Sequence, residues 1–317
     1  MKEVLITGGG GFLAAWVARR LAARGLRLRL FDLQGGGGGG SGDSGGSGGG
    51  SGSAVDAIVD PRHRSLIAWH RGDVRNAADV RAAMDGCDGV VHLAGLLTSA
   101  CSADPVLGAE VNLIGSLHVF EAARAQGLAN VVYASSAGVY GPEHAHHPEP
   151  ATHYGAFKLA VEGVARACWS EHRIASVGFR PFVIYGPGRE SGVSAGPSLA
   201  CRAAALGEAC TIGFTGACGL VYVDDVAEAF EHALLAPSEG TRVFNLVGEM
   251  RTVDEVMAEI RRQAPEAKLE AQGPPLTIAA DVPETGLDAW LPSRQRTSLA
   301  QGIAATLAHY RAAGGVR

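Results

Sequence analysis

The chain has 317 residues, 47% hydrophobic and 19% charged, with a formal net charge of −5. That length buries a substantial core as one large domain or two modest ones, and the missing basic runs leave no footprint for nucleic acid. No apolar stretch approaches the ~20 residues that cross a bilayer. A strand-like Glu3-Val4-Leu5-Ile6 at the start leaves no room for a signal peptide, and the six cysteines form no CxxC pair, so a cytoplasmic protein with reduced thiols is expected.

The first predicted strand, residues 4–7, runs into Gly8-Gly9-Gly10-Gly11 and then a helix over 12–24. Gly8, Gly11 and Ala14 fit G-x-x-G-x-x-G/A, in which small residues allow a tight turn and close approach to a pyrophosphate. The helix N-terminus beyond, at Phe12 and Leu13, offers N–H groups and the positive dipole end to phosphates. The second strand, 28–32, ends at Asp32, about twenty residues beyond the turn, where an acid accepts hydrogen bonds from an adenosine ribose and repels a 2′-phosphate. NAD is therefore favoured over NADP. Residues 35–53 contain only Gly, Ser and one Asp. They have nothing to bury and read as a flexible insertion or an engineered loop replacement rather than a nucleotide-covering flap.

A third strand at 66–70 leads to Gly72-Asp73-Val74, where Asp73 meets the adenine edge, and a helix follows at 77–84. The fourth, 89–93, carries His92-Leu93-Ala94-Gly95, with small residues on the nicotinamide side and a packed His92. After a helix at 106–126, the fifth strand, 131–135, ends in Ser135-Ser136, placing a hydroxyl at the sheet's carboxyl edge. The helix at 154–171 opens with Tyr154-Gly155-Ala156-Phe157-Lys158, putting a phenol and an ammonium on one face. The ammonium is expected to lower the phenol pKa, so that the tyrosine exchanges a proton with a substrate hydroxyl while a nicotinamide exchanges hydride. A sixth strand spans 176–180. Strands alternating with helices imply a doubly wound parallel sheet of Rossmann type, in the α/β class.

Past residue 187 the alternation weakens. Helices at 197–206, 253–262 and 299–310 suggest a smaller C-terminal substrate-binding lobe over 187–317. The first domain spans 1–186, and about 220–247 returns to it through a helix at 224–235 and a strand at 242–247. His144-Ala145-His146-His147 lies in a Pro-flanked loop without accompanying ligand spacing, so no metal is expected.

The series TGGGGF, GDV, HLAG, SSAGVYG, YGAFK, RPFVIYGPG and YVDDVAEAF resembles the ordered motifs of the extended short-chain dehydrogenases, the NAD-dependent epimerase/dehydratase family. The resemblance covers most of the chain. It implies a catalytic set of Ser136, Tyr154 and Lys158, with Ser136 bonded to the reacting oxygen and Lys158 also holding the nicotinamide ribose. It gives Asn112 a supporting place in its helix. It also implies a homodimer built through the helices at 106–126 and 154–171.

Two positions depart from the pattern. Val183 stands where nucleotide-sugar enzymes of the family usually carry Asn, and Cys218 where they usually carry Arg, four before Tyr222. Losing both donors suggests a smaller carbohydrate-like substrate, a sugar acid, aldose or polyol, oxidised by hydride transfer, with Arg189 in Gly188-Arg189-Glu190 binding a carboxylate. The alternatives are a nucleotide-sugar epimerase or dehydratase that retains its NAD, and a non-catalytic NAD-binding regulator.

Overall fold

The computed structural model describes residues 1–34, 54–236 and 239–314; the Gly/Ser segment 35–53 lies outside the described residues. The strands are β1 (Glu3–Thr7), β2 (Arg27–Asp32), β3 (Ile67–Arg71), β4 (Gly89–His92), β5 (Asn130–Ala134), β6 (Ala175–Pro181), β7 (Val183–Tyr185), β8 (Ala209–Ile212), β9 (Ala217–Tyr222), β10 (Thr241–Leu246), β11 (Glu249–Thr252) and β12 (Lys268–Ala271). The helices are α1 (Phe12–Ala23), α2 (Ala54–Ile58), α3 (Ala77–Met84), α4 (Thr98–Ala103), α5 (Pro105–Ala109), α6 (Gly115–Ala125), α7 (His153–His172), α8 (Gly196–Leu206), α9 (Val223–Leu235), α10 (Val253–Gln263), α11 (Leu287–Trp290) and α12 (Leu299–Gly314).

Seven strands form one sheet in the order β10-β6-β5-β4-β1-β2-β3. Every pairing within it is parallel. The inner strands are rich in β-branched residues because both of their faces are covered. Along β1, Val4 and Ile6 face the layer of α1 and α9, packing with Ala15, Leu21, Val226 and Phe230. Leu5, between them, faces the layer of α3, α6 and α7, with Val80, Phe120 and Val161. The alternation is the two-residue period of a strand buried on both sides. The order 3-2-1-4-5-6, with β10 added at one edge, is that of a Rossmann-type doubly wound sheet. Its topological switch lies between β1 and β4, where such sheets hold ligands at their carboxyl ends.

The remaining strands form two small sheets, β11-β9-β7 and β12-β8. Around them α8, α10 and α12 pack on one another. The chain leaves the main sheet at β6, builds β7 to β9, returns through α9 and β10, and departs again.

The single helix expected over 106–126 is broken. Between α5 and α6 the residues Glu110–Ile114 form a π-helical turn. A widened turn admits one extra residue. It brings the Asn112 side chain, fully buried, against the loop that follows β4.

Candidate active site

The glycine turn joins β1 to α1 at the switch point. Gly8 has φ +68, and a Cβ there would lie 2.7 Å from the backbone nitrogen of Ala94. Only glycine lets the turn pass this close to the end of β4. Gly11 is the N-cap of α1 and no side chain caps it, so the helix opens onto the cleft at Phe12 and Leu13 with its first-turn N–H groups available to an anion. The Asp32 carboxylate, at the end of β2, accepts the Gly10 N–H at 3.0 Å. These elements fit a dinucleotide: a tight cradle, an uncapped helix start and an acid at the ribose distance.

Asp73 and Val74 sit beside this turn, since the Gly72 N–H bonds the Asp32 carbonyl at 3.0 Å. The Asp73 carboxylate is bonded by Arg75, which holds it below the usual carboxylate range. Val74 is buried against α6, where a Cβ on Gly115 would lie 2.9 Å from it. Its side chain therefore serves packing.

Leu93, Ala94 and Gly95 line the opposite side. Thr7 Oγ1 accepts the N–H groups of Leu93 and Ala94, each at 3.2 Å. Having accepted both, Thr7 donates to His92 Nδ1 at 2.7 Å, and His92 Nε2 donates to Ser116 Oγ at 2.9 Å. Ser116 completes the relay by donating to the Asn112 carbonyl at 2.6 Å. His92 is buried, and desolvation, aided by the Lys158 charge, pushes its pKa down to about 3. It is a neutral strut and not a proton carrier. Asn112 holds the same loop by its amide, accepting Leu96 N–H at 2.9 Å and donating to the Leu96 carbonyl at 3.1 Å. The support it gives is to this loop across the cleft, not to its own helix.

Ser136, Tyr154 and Lys158 converge where β5 ends. Ser136 caps a short 3-10 turn, its Oγ accepting the Gly138 N–H at 3.0 Å. A Cβ on Gly155 would collide with the Gly138 carbonyl. That missing methyl lets α7 press against the turn, bringing Tyr154 beside Ser136. Gly155 is a determinant that pattern reading passed over. A Cβ on Gly138 would lie 3.2 Å from Ser136 Oγ and 3.6 Å from the Tyr154 ring, so hydroxyl and phenol flank the same point.

The electrostatics differ from expectation. Burial raises the half-buried Tyr154 phenol above its ordinary value, and the Ser136 hydroxyl works against that rise. Lys158 Nζ lies 5.7 Å from the Tyr154 ring centroid and donates to the Ala134 carbonyl at 2.9 Å. Burial pushes Lys158 itself down to about 8. A desolvated ammonium bound to a carbonyl does little for a phenolate, so the expected lowering of Tyr154 is absent.

Beneath the trio lies a polar network. Glu162, one turn beyond Lys158 on α7, accepts Ser135 Oγ at 2.6 Å and Arg180 Nε at 2.7 Å. Arg180 Nη1 donates to the Tyr140 hydroxyl at 2.6 Å, which contacts Asn245 Nδ2 at 3.0 Å. Asn245 Nδ2 also donates to the Pro283 carbonyl at 2.8 Å. Of the two neighbouring serines, Ser135 belongs to this anchor, and Ser136 faces Tyr154.

Arg189 projects from the loop after β7. Its guanidinium stands 5.8 Å from the Phe12 ring centroid and donates to Ser194 Oγ at 2.9 Å. Its charge acts on Tyr154. The structure thus brings Arg189 to the catalytic side of the cleft.

The family model for the NAD dependent epimerase/dehydratase family matches residues 4–248. The chain is 28% identical to UDP-glucose 4-epimerase of Mycolicibacterium smegmatis over 98% of both chains. It is 31% identical to mouse 3 beta-hydroxysteroid dehydrogenase type 7, of which it spans only 51%. The crystal structure of Thermus thermophilus UDP-glucose 4-epimerase in complex with NAD superposes with a TM-score of 0.79 at 26% identity, covering 98% of this chain and 99% of that one. With the motif series laid out in order along a Rossmann-type sheet, these likenesses establish an enzyme of the NAD-dependent epimerase/dehydratase family.

Proposed function

We propose that the protein epimerises a nucleotide-linked sugar, retaining its NAD through oxidation of one ring hydroxyl and return of the hydride to the opposite face. The observation that carries this reading is the meeting of Ser136 and Tyr154 at Gly138, across from the uncapped glycine turn. The end-to-end likeness to UDP-glucose 4-epimerases supports the substrate class. NAD, the cofactor of the family, supplies the hydride acceptor and donor.

The chain's own groups do the remaining work. Gly8, Gly11, Phe12 and Leu13 bind the cofactor's phosphates, Asp32 its adenosine ribose, and Leu93 to Gly95 line its nicotinamide side. Tyr154 takes the proton of the reacting hydroxyl as hydride leaves the same carbon, and returns it when hydride comes back. Ser136 donates to that oxygen and orients it, while Lys158 fixes the nicotinamide ribose.

The smaller-substrate oxidoreductase suggested by Val183 and Cys218 has less support. Both side chains are about 1% exposed and lie in the apolar core. Packing accounts for their identity, so they say nothing against a diphosphate. Purified protein incubated with UDP-glucose should form its 4-epimer without accumulating NADH. Tyr154→Phe should lower that rate by roughly 10²–10⁴-fold and keep bound NAD. Stoichiometric NADH release with a simple sugar acid or polyol, and none of the epimer, would decide for the smaller-substrate reading.

A further inference from the structure

The loop that carries Arg189 turns on three glycines with positive φ, Gly186 at +145, Gly188 at +89 and Gly192 at +99. These turns fold the arginine back under the loop, between the glycine turn and the catalytic helix. Nη2 has Ser194 as a partner, but Nε is buried with no partner. Among the described residues no carboxylate pairs with this guanidinium. Burial lowers it only to about 10, so it stays charged at neutral pH. A buried cation with an idle donor is costly unless a ligand completes it. Nη2 keeps a second N–H beside Nε, and that edge presents the two-donor fork that matches a carboxylate side-on.

We propose that Arg189 determines specificity by binding an acidic group on the sugar, making the preferred substrate a nucleotide-linked hexuronic acid. The inference rests on the epimerase reading and narrows it. Tyr154 must face the carbon being oxidised, and Arg189 acts electrostatically on Tyr154, so its ligand belongs close to that carbon. In a hexose oxidised at C4 the neighbouring C5 carries the exocyclic carbon, which is a carboxylate in a hexuronic acid. The diphosphate hangs from C1 on the far side of the ring.

The test compares UDP-glucuronic acid with UDP-glucose on the NAD-containing protein and on Arg189→Gln and Arg189→Lys, with epimer formation and UDP affinity as readouts. The expected result is a higher kcat/KM for the acid, a ratio between the two sugars that falls by roughly 30-fold or more in Arg189→Gln, and partial recovery in Arg189→Lys. Retained NAD shows that the variants are folded. Equal losses on both sugars, or a wild-type preference for UDP-glucose, would overturn the proposal and leave the epimerase reading standing. An equal loss of UDP affinity would make the diphosphate the partner and overturn it too. Failure to convert either sugar, with NAD retained, would remove the epimerase reading and this inference with it.

Discussion

Replacing Glu162 by Gln removes one charge from the network under the catalytic residues and almost no volume. The Glu162 side chain is fully buried and that of Arg180 is 12% exposed, with the two joined at 2.5 and 2.7 Å. The wild-type carboxylate accepts three donors, two from Arg180 and one from Ser135. An amide has one oxygen to offer them and turns its own donors toward a guanidinium that cannot lose its charge. Breaking a buried pair by neutralising one partner costs about 3–5 kcal/mol. With roughly 2–4 °C of Tm per kcal/mol for large domains, thermal unfolding followed by circular dichroism should shift down by about 10 °C. Removing Arg180 as well, in Glu162→Gln/Arg180→Met, takes away the stranded cation and should recover part of the loss. A shift under about 3 °C, or a double variant whose loss equals the sum of the singles, would refute the account of the pair as a coupled anchor.

His92 resists protonation in the fold, with a pKa of about 3 against an ordinary 6.5. The unfolded chain therefore binds the proton that the native state refuses, and stability falls as pH drops from about 6.5 toward 3. The term amounts to roughly 2 kcal/mol between pH 7 and 5; urea unfolding of His92→Gln should show a correspondingly smaller loss over that interval. Gly8→Ala forces a methyl against the Ala94 backbone at positive φ, so it should cost roughly 1–3 kcal/mol and strip NAD from the purified protein, as read from cofactor content after gel filtration. Asp32→Ser removes the charge that repels a 2′-phosphate, and calorimetry should find the preference for NAD over NADP reduced at least about tenfold.

The inner strands were readable because both of their faces are covered, leaving continuous apolar runs such as Val4 to Ile6 and Val131 to Tyr133. Strands β8 and β12 are four residues each and largely exposed or half-buried, so Ala209–Ile212 and Lys268–Ala271 carry no such signal. The glycine turn, Asp32, Ser136, Tyr154 and Lys158 could be picked out because each belongs to a short stretch next to a strand end. The burial of Arg189 could not, since it depends on Phe12 packing from the other end of the domain. The same holds for the anchor, whose Tyr140 to Asn245 contact joins residues 105 apart in the chain. The π-helical turn escaped notice because a helical apolar pattern persists on either side of its extra residue.

The entry of β10 beside β6 has a bearing on how this enzyme can be taken apart. Residues Thr241–Leu246 complete the main sheet only after β7, β8 and β9 have been made. A fragment cut after Tyr185 would expose the whole hydrogen-bonding edge of β6 and strip α1 of the α9 face it packs on, an invitation to aggregation. During synthesis, too, the nucleotide-binding half stays unfinished until Leu246 has left the ribosome. Exchanging the sugar-binding part between relatives therefore requires two junctions, one on each side of α9 and β10, so that both travel with the nucleotide-binding half.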